Sequence, residues 1–96
     1  MASYLEMKVL FNDSDLKNRC EAAVIKAANT MLIKDQTEEG KLLVKKVFNM
    51  KEHYAELALY ALVIANEPKS IEDIKLLSDI EIQAVVDSSA PLLKGM

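Results

Sequence analysis

The 96-residue sequence holds few of the residues on which catalysis, disulfide bonding and tight turns depend. It has no tryptophan, one histidine, one cysteine, two glycines and two prolines. A single thiol cannot form an internal disulfide, and such cysteine usage is typical of a reducing cytoplasm. Because β-rich domains with many tight turns need more glycine and proline, their scarcity favours long helices with short joints.

Strong charge of either sign is also missing, since 12 basic and 15 acidic residues leave a net charge of -3. Arg19 is the sole arginine. Nucleic-acid binding depends on cations that neutralise phosphates and on bidentate arginine contacts, so we expect no direct sequence-specific binding of nucleic acid. Residues 57–65 form the longest apolar run, which is too short to span a membrane. The first ten residues lack the pattern of a signal peptide, so the sequence predicts a soluble protein without a membrane contact.

Hydrophobic residues make up 51% of the chain, and many recur at the spacing of amphipathic helices. The pattern predicts an all-α fold, a compact bundle of about five helices with short joints. The predicted helices cover residues 15–34, 38–49, 51–66, 71–77 and 79–88. Residues 51–66 are apolar on nearly all sides, which predicts that this helix is the buried, central one.

Polar residues at the joints predict where each helix begins. The predicted caps are Asp13 or Ser14, Thr37, Asn49, Ser70 and Ser78. Pro68 is expected to end the helix before it.

We divide the chain into an N-terminal arm or short helix (residues 1–12), a helical bundle (13–88) and an apolar C-terminal tail (89–96). Both ends are apolar, and exposed apolar surface of this kind usually marks a protein interface. Packing into the core is an equally open alternative. The candidate interface residues are Tyr4, Leu5, Leu10, Phe11, Leu92, Leu93 and Met96.

The residues that could carry chemistry have simpler interpretations as parts of the fold. His53 and Glu56 have the spacing of di-iron ligands, but such sites need further histidines from other helices, so a surface or boundary histidine is predicted. Cys20 lies on an apolar stripe and is expected to be buried. Lys41, Lys45 and Lys46 are typical of a solvated helix face. We therefore expect no catalytic, cofactor or metal site, and a protein that is not an enzyme.

Three stretches of the chain share a pattern of apolar residues and helix caps. The first covers residues 14–19, 22–25 and 27–28; the second covers residues 45–49, Ala55, residues 59–63 and Asn66; the third covers Ser78, Asp79 and residues 82–87. Together they resemble a group of small structural proteins of tailed bacteriophages. Their order and spacing run over most of the chain, but the motifs are mostly apolar residues and helix caps. The chain departs from the group in lacking a tryptophan in the middle helix pair and in having Met50 where a proline commonly opens the next helix.

The resemblance implies a virion structural protein that acts in the capsid or the head–tail neck and is made in the host cytoplasm. Its implied partners are phage capsid, connector or tail proteins and copies of itself, with no small-molecule substrate. The alternative is a small regulatory or adaptor module that binds a partner without catalysis. An enzyme or metal protein is a third hypothesis, which His53 and Cys20 alone would have to carry.

Overall fold

The computed structural model describes residues 4–34 and 36–89, which contain six helices and no strand. They are α1 (Tyr4–Phe11), α2 (Ser14–Lys34), α3 (Glu38–Asn49), α4 (Lys51–Asn66), α5 (Ile71–Lys75) and α6 (Asp79–Ser88). The prediction of an all-α bundle is confirmed. Of the two alternatives for the N-terminal segment, residues 4–11 form the short helix, which accounts for six helices where about five were expected.

Side-chain caps fix the starts of four helices, because each satisfies a backbone N–H that the first turn leaves without a partner. The cap oxygens accept from an N–H three residues on: Asp13 from Leu16 at 3.0 Å, Thr37 from Gly40 at 3.2 Å, Ser70 from Asp73 at 3.3 Å and Ser78 from Glu81 at 3.2 Å. The sequence identified Thr37, Ser70 and Ser78 as caps, and of its two alternatives for α2 the structure has Asp13.

The junction between α3 and α4 differs from the prediction. α3 ends at Asn49 as expected, but the residue that precedes α4 is Met50, whose side chain makes no capping hydrogen bond. Met50 alone separates the two helices. Its carbonyl already accepts the first hydrogen bond of α4, from the backbone N–H of Tyr54 at 3.2 Å. The expectation that Asn49 caps α4 is wrong because α3 takes up Asn49 itself.

α2 is the longest helix and packs against α3, α4 and α6. Its inward side chains are buried at helical spacing and include Leu16, Cys20, Ala23, Val24, Ala27 and Ala28. Small residues predominate in this stripe, so the neighbouring helices can approach α2 closely. α4 contacts each of the other five helices, as the prediction of a central helix for residues 51–66 requires, but it is not buried on all sides, because Leu57, Tyr60 and Ile64 are exposed.

Three long-range hydrogen bonds fix the C-terminal helices on α2. Arg19 bonds the carboxylate of Asp79 at 2.7 Å and also donates to the carbonyl of Leu77. The side-chain amide of Gln83 donates to the carbonyl of Ala23 at 3.1 Å. These bonds hold α6 alongside α2, and they keep the joint between α5 and α6 against the core. α5 ends at Lys75, two residues before the predicted end, and Leu77 in the joint is buried.

Candidate interaction surface

The outer face of α4 is apolar and only partly covered, with Leu57 38% and Tyr60 45% exposed. The inner face buries Tyr54, Ala55, Ala58, Leu59, Leu62 and Val63. On the opposite side, Leu57, Tyr60 and Ile64 follow one another at spacings of three and four, so they share one face. Ile64 is the most exposed, at 74%. A bundle of this size supplies neighbours for only one side of α4, and the apolar residues on the other side remain in contact with solvent.

A shallow groove of about 470 Å³ extends this face toward α6. Its walls are Ala61, Ile64 and Ala65 on α4, and Ala84, Val85 and Ser88 on α6, with Ser89 at its end. The walls consist mainly of small apolar side chains, which leaves room for a bulky apolar group from outside. We call Leu57, Tyr60, Ala61, Ile64 and Ala65 the α4 outer face.

The N-terminal candidates divide into exposed and buried residues. Tyr4 and Leu5 are 70% and 72% exposed, and Tyr4 is partly covered by the ammonium group of Lys8, which lies 5.1 Å from its ring centre. Phe11 is half-buried, and its ring meets that of Tyr60 edge to face at a centroid distance of 5.3 Å. This contact joins the end of α1 to the α4 outer face.

Leu10 requires a correction. Its side chain is 0% exposed and belongs to the core cluster together with Met7. In a helix, Met7 and Leu10 are three apart and point to the same side, which here faces the bundle. Leu10 therefore cannot contribute to a surface patch. The C-terminal candidates Leu92, Leu93 and Met96 lie outside the described residues.

The sequence did not single out Ile64 as a surface residue, because residues 51–66 were interpreted as buried on all sides. The spacing of the apolar residues nevertheless indicated that Ile64 lies away from the core. Ala55, Leu59 and Leu62 define one stripe, and Ile64 lies on the far side of a helix with 3.6 residues per turn. A large apolar residue opposite the main stripe indicates either a second buried contact or a docking surface.

A second groove, of about 560 Å³, lies between α2 and α6. Arg19, Asp79, Gln83 and Asp87 are among its polar walls. These groups bond one another or the backbone: Arg19 bonds Asp79, and the Gln83 amide lies 2.9 Å from the Asp87 carboxylate. These hydrogen bonds hold α2 and α6 together, and this structural role explains why the groove has polar walls.

Cys20 and His53 occupy the environments that were predicted for them. Cys20 is buried, and burial raises the pKa of its thiol from 9.0 to about 11, although the nearby Arg19 acts in the opposite direction. A thiol with such a pKa carries almost no thiolate at neutral pH. His53 is exposed, and its ring packs edge to face against Tyr54 at 5.8 Å. Glu56, which shares its helix face, is exposed as well.

Within residues 4–34 and 36–89, no three side chains of His, Cys, Asp or Glu are grouped closely enough to hold a metal ion. None of the helices in the same ranges combines the length and the apolar character that crossing a membrane requires. No family model, curated protein or solved structure matches the chain.

Proposed function

We propose that this chain is a structural protein of a tailed-phage virion, which acts through protein–protein contacts in the capsid or at the head–tail neck. The observation that carries the proposal is the α4 outer face. Contiguous exposed apolar surface is uncommon on small soluble proteins that act alone, and it usually marks the place where another protein binds. The resemblance of the sequence to small tailed-phage structural proteins supports the identity of the assembly.

The chemistry of this face suits contacts between proteins. Tyr60 offers a large ring with a polar hydroxyl, a combination enriched at interfaces, and it is held in place by Phe11. Leu57 and Ile64 flank it with aliphatic side chains. The polar backbone of α4 is already satisfied within the helix, so a partner gains apolar contacts without having to replace hydrogen bonds.

A role as a small adaptor module is the second candidate, and the groove between α4 and α6 favours it. A groove lined by Ala61, Ile64, Ala84 and Val85 has the apolar character of sites that bind one face of an amphipathic partner helix. The two functions differ in copy number. A virion component is present in fixed, repeated copies in each particle, whereas an adaptor stays in the lysate with its partner.

The test is mass spectrometry of phage particles from cells infected with the phage that encodes this chain. The particles are purified through two successive density gradients, and peptide amounts are normalised to the major capsid protein. We expect a constant ratio across the particle fractions, with several copies per virion. An abundant host protein of similar size is the control, and its ratio is expected to fall with each gradient. Absence of this chain, or loss in parallel with the control, contradicts the structural role.

A further inference from the structure

Two stretches of the chain carry opposite charge. Residues 40–51 contain four lysines and no acidic residue, although the whole chain has a net charge of -3. Residues 76–89 contain three acidic residues and no basic one. The first stretch covers most of α3 and the start of α4, and the second covers α6 with the joint before it. Charge is therefore separated over the surface of the bundle, and each stretch attracts a surface of the other sign.

The outer side of α3 combines positive charge with an exposed aromatic ring. Lys41, Lys45 and Phe48 follow one another at spacings of four and three, so they share one side of the helix. Phe48 is 59% exposed, and the ammonium group of Lys51 lies 5.7 Å from its ring centre. Lys41 pairs with Glu38 at 3.4 Å, whereas Lys45 has no ion pair within the described residues. We call Lys41, Lys45, Phe48 and Lys51 the α3 basic face.

The outer side of α6 has the complementary features. Ile80, Ala84 and Asp87 follow one another at the same spacings of four and three, and all three line the groove of about 560 Å³ between α2 and α6. Ile80 is 82% exposed. The carboxylates of Glu81 and Asp87 accept hydrogen bonds from neighbouring side chains, but no cation pairs with them in the part of the chain that the structure describes. We call Ile80, Glu81, Ala84 and Asp87 the α6 acidic face.

We propose that the α3 basic face of one copy of this chain binds the α6 acidic face of a second copy. Phe48 enters the groove beside Ile80 of the second copy, where small side chains leave room for a ring. Lys45 and Lys51, which precede and follow this ring by three residues, then lie beside the two carboxylates that have no cation of their own. The proposal rests on the part of the proposed function in which copies of the chain contact one another.

The charges favour a second copy over an unrelated partner, because this chain itself carries both complementary faces. Each face joins exposed apolar surface to charge of one sign that the chain does not neutralise. Two cations also line the groove: Arg19, which is bonded to Asp79, and Lys26 on α2. An aromatic ring is compatible with the Lys26 ammonium group, since cations are attracted to the face of a ring. Complementary charges fix the register of such a contact and raise its association rate.

A contact between two different faces is a head-to-tail contact. Each pair of bound copies leaves one basic face and one acidic face free, so further copies can add to either end. A contact with exposed charges is weakened by salt, because about 1 M salt shortens the screening length to about 3 Å. Weak association in solution is compatible with assembly, since copies held side by side in a particle have a high effective concentration.

Sedimentation velocity of two complementary variants tests the proposal. Phe48→Glu blocks the basic face and leaves the acidic face intact, and Ile80→Lys does the reverse. The wild-type chain is expected to form oligomers that grow with its concentration at low salt, whereas each variant alone is expected to stay monomeric. An equimolar mixture of the two variants is expected to form a dimer and nothing larger, because only one intact face of each kind remains to pair.

Val9→Glu is the matched control, since Val9 is an exposed apolar residue on α1, outside both faces, and this variant is expected to oligomerise like wild type. Circular dichroism checks that the three variants fold. A wild-type chain that stays monomeric at millimolar concentration and low salt overturns the proposal. A variant that oligomerises alone overturns it as well, and so does a mixture that stays monomeric while the wild type oligomerises.

A charge exchange tests the pairing of lysines with carboxylates separately from the ring. Chains with both Lys45→Glu and Lys51→Glu are expected to associate more weakly than wild type by roughly tenfold or more, as are chains with both Glu81→Lys and Asp87→Lys, because like charges then meet across the contact. Chains with all four changes restore opposite charges and are expected to oligomerise again. Equal weakening in the fourfold variant contradicts the proposal, and so does wild-type association that salt leaves unchanged. Detection of the chain in virions is a separate measurement, so failure of this contact leaves the proposed function with other partners.

Discussion

At the scale of single residues, burial decides what the few chemically capable side chains of this chain can do. Cys20 lies in the apolar stripe of α2, as its spacing from Leu16 and Val24 predicted. The same reasoning was wrong for Leu10, which was assigned to an interface and is completely buried. Sequence spacing shows which residues share a helix face, but for a two-turn helix it does not show which face the bundle covers.

The buried thiol leads to a prediction about reactivity. In the native chain at pH 8, Cys20 is expected to react with a thiol-specific reagent at least a hundred times more slowly than in the chain unfolded by guanidinium. The pKa, raised to about 11, leaves little thiolate at pH 8, and burial shields the sulfur from the reagent. A colorimetric thiol assay measures both rates. Similar rates in the folded and unfolded chain would show that Cys20 is accessible.

The same pKa change sets the direction of a pH effect. The thiol pKa is higher in the folded chain than its ordinary value of 9.0, so the unfolded chain loses this proton first as the pH rises. The contribution of Cys20 to stability is therefore constant below about pH 9 and falls as the pH rises toward 11. Denaturant melts of wild type and Cys20→Ala at pH 7 and pH 10 measure this difference. The stability gap between them is expected to narrow at the higher pH.

Tyr54 provides a third prediction at this scale. Its side chain is buried at 1% exposure, and its hydroxyl lies in the interior without a hydrogen-bond partner within the described residues. A buried polar group without a partner costs about 1–3 kcal/mol. Tyr54→Phe removes the hydroxyl and keeps the ring, so it is expected to leave stability unchanged or to raise it by about 1 kcal/mol. Tyr60→Phe, on the exposed face, is the control. A loss of more than about 1 kcal/mol in Tyr54→Phe would show that the hydroxyl has a partner, such as an internal water.

At the scale of the helices, the local chemistry of the joints determined most of the boundaries. Ser70 and Ser78 each begin a helix, and each hydroxyl also bonds the carboxylate three residues on, at 2.9 Å to Asp73 and 3.2 Å to Glu81. Caps of this kind involve residues close in sequence, so they can be predicted from the sequence alone. The start of α4, directly after Met50, has no capping residue in the sequence, because no side chain caps it.

The caps can be tested through stability. Ser78→Ala is expected to lower the free energy of unfolding by about 1 kcal/mol, since the Glu81 N–H then loses its acceptor. Ser78→Thr keeps a hydroxyl at the same place and is expected to lose less than half of this. Urea melts measure both changes. An alanine variant as stable as the wild type would mean that water replaces the cap at no cost.

Gly40 in the first turns of α3 is a place where the helix can be improved. It has no positive φ, so its backbone conformation is open to any residue. Gly40→Ala is expected to raise stability by about 0.5–1 kcal/mol, because alanine loses less conformational entropy in a helix. Thermal unfolding measures the gain. A decrease would show that the added methyl group meets a neighbouring helix.

At the scale of the whole molecule, the sequence predicted the helices but not their arrangement. Periodicity cannot rank one apolar helix against another, and α4, which is richer in apolar residues than α2, was placed at the centre. In the structure α4 contacts each of the other helices but leaves one side exposed, whereas α2 packs its small residues against its neighbours and is bonded to α6 through Arg19 and Ala23. The apolar side chains of α4 that the bundle does not cover remain exposed, and this exposed surface is the basis of the proposed function.

The α4 outer face is expected to matter for the particle more than for the fold. Ile64→Glu introduced into the phage is expected to lower the yield of complete particles or the content of this chain in them. The isolated variant is expected to keep the stability of wild type within about 0.5 kcal/mol, as is usual for exposed positions. Leu76→Glu, at an exposed leucine outside α4, serves as the control in both assays. Normal particles with a full content of the Ile64→Glu chain would show that this face is not needed for assembly.

Cryo-electron microscopy of the purified virion, at a resolution that separates side chains, tests the central claim most directly. The account predicts density for the helices α1 to α6 in repeated copies, with Leu57, Tyr60 and Ile64 buried against a neighbouring protein chain. Particles without this chain would contradict the claim, and so would copies whose α4 outer face is open to solvent.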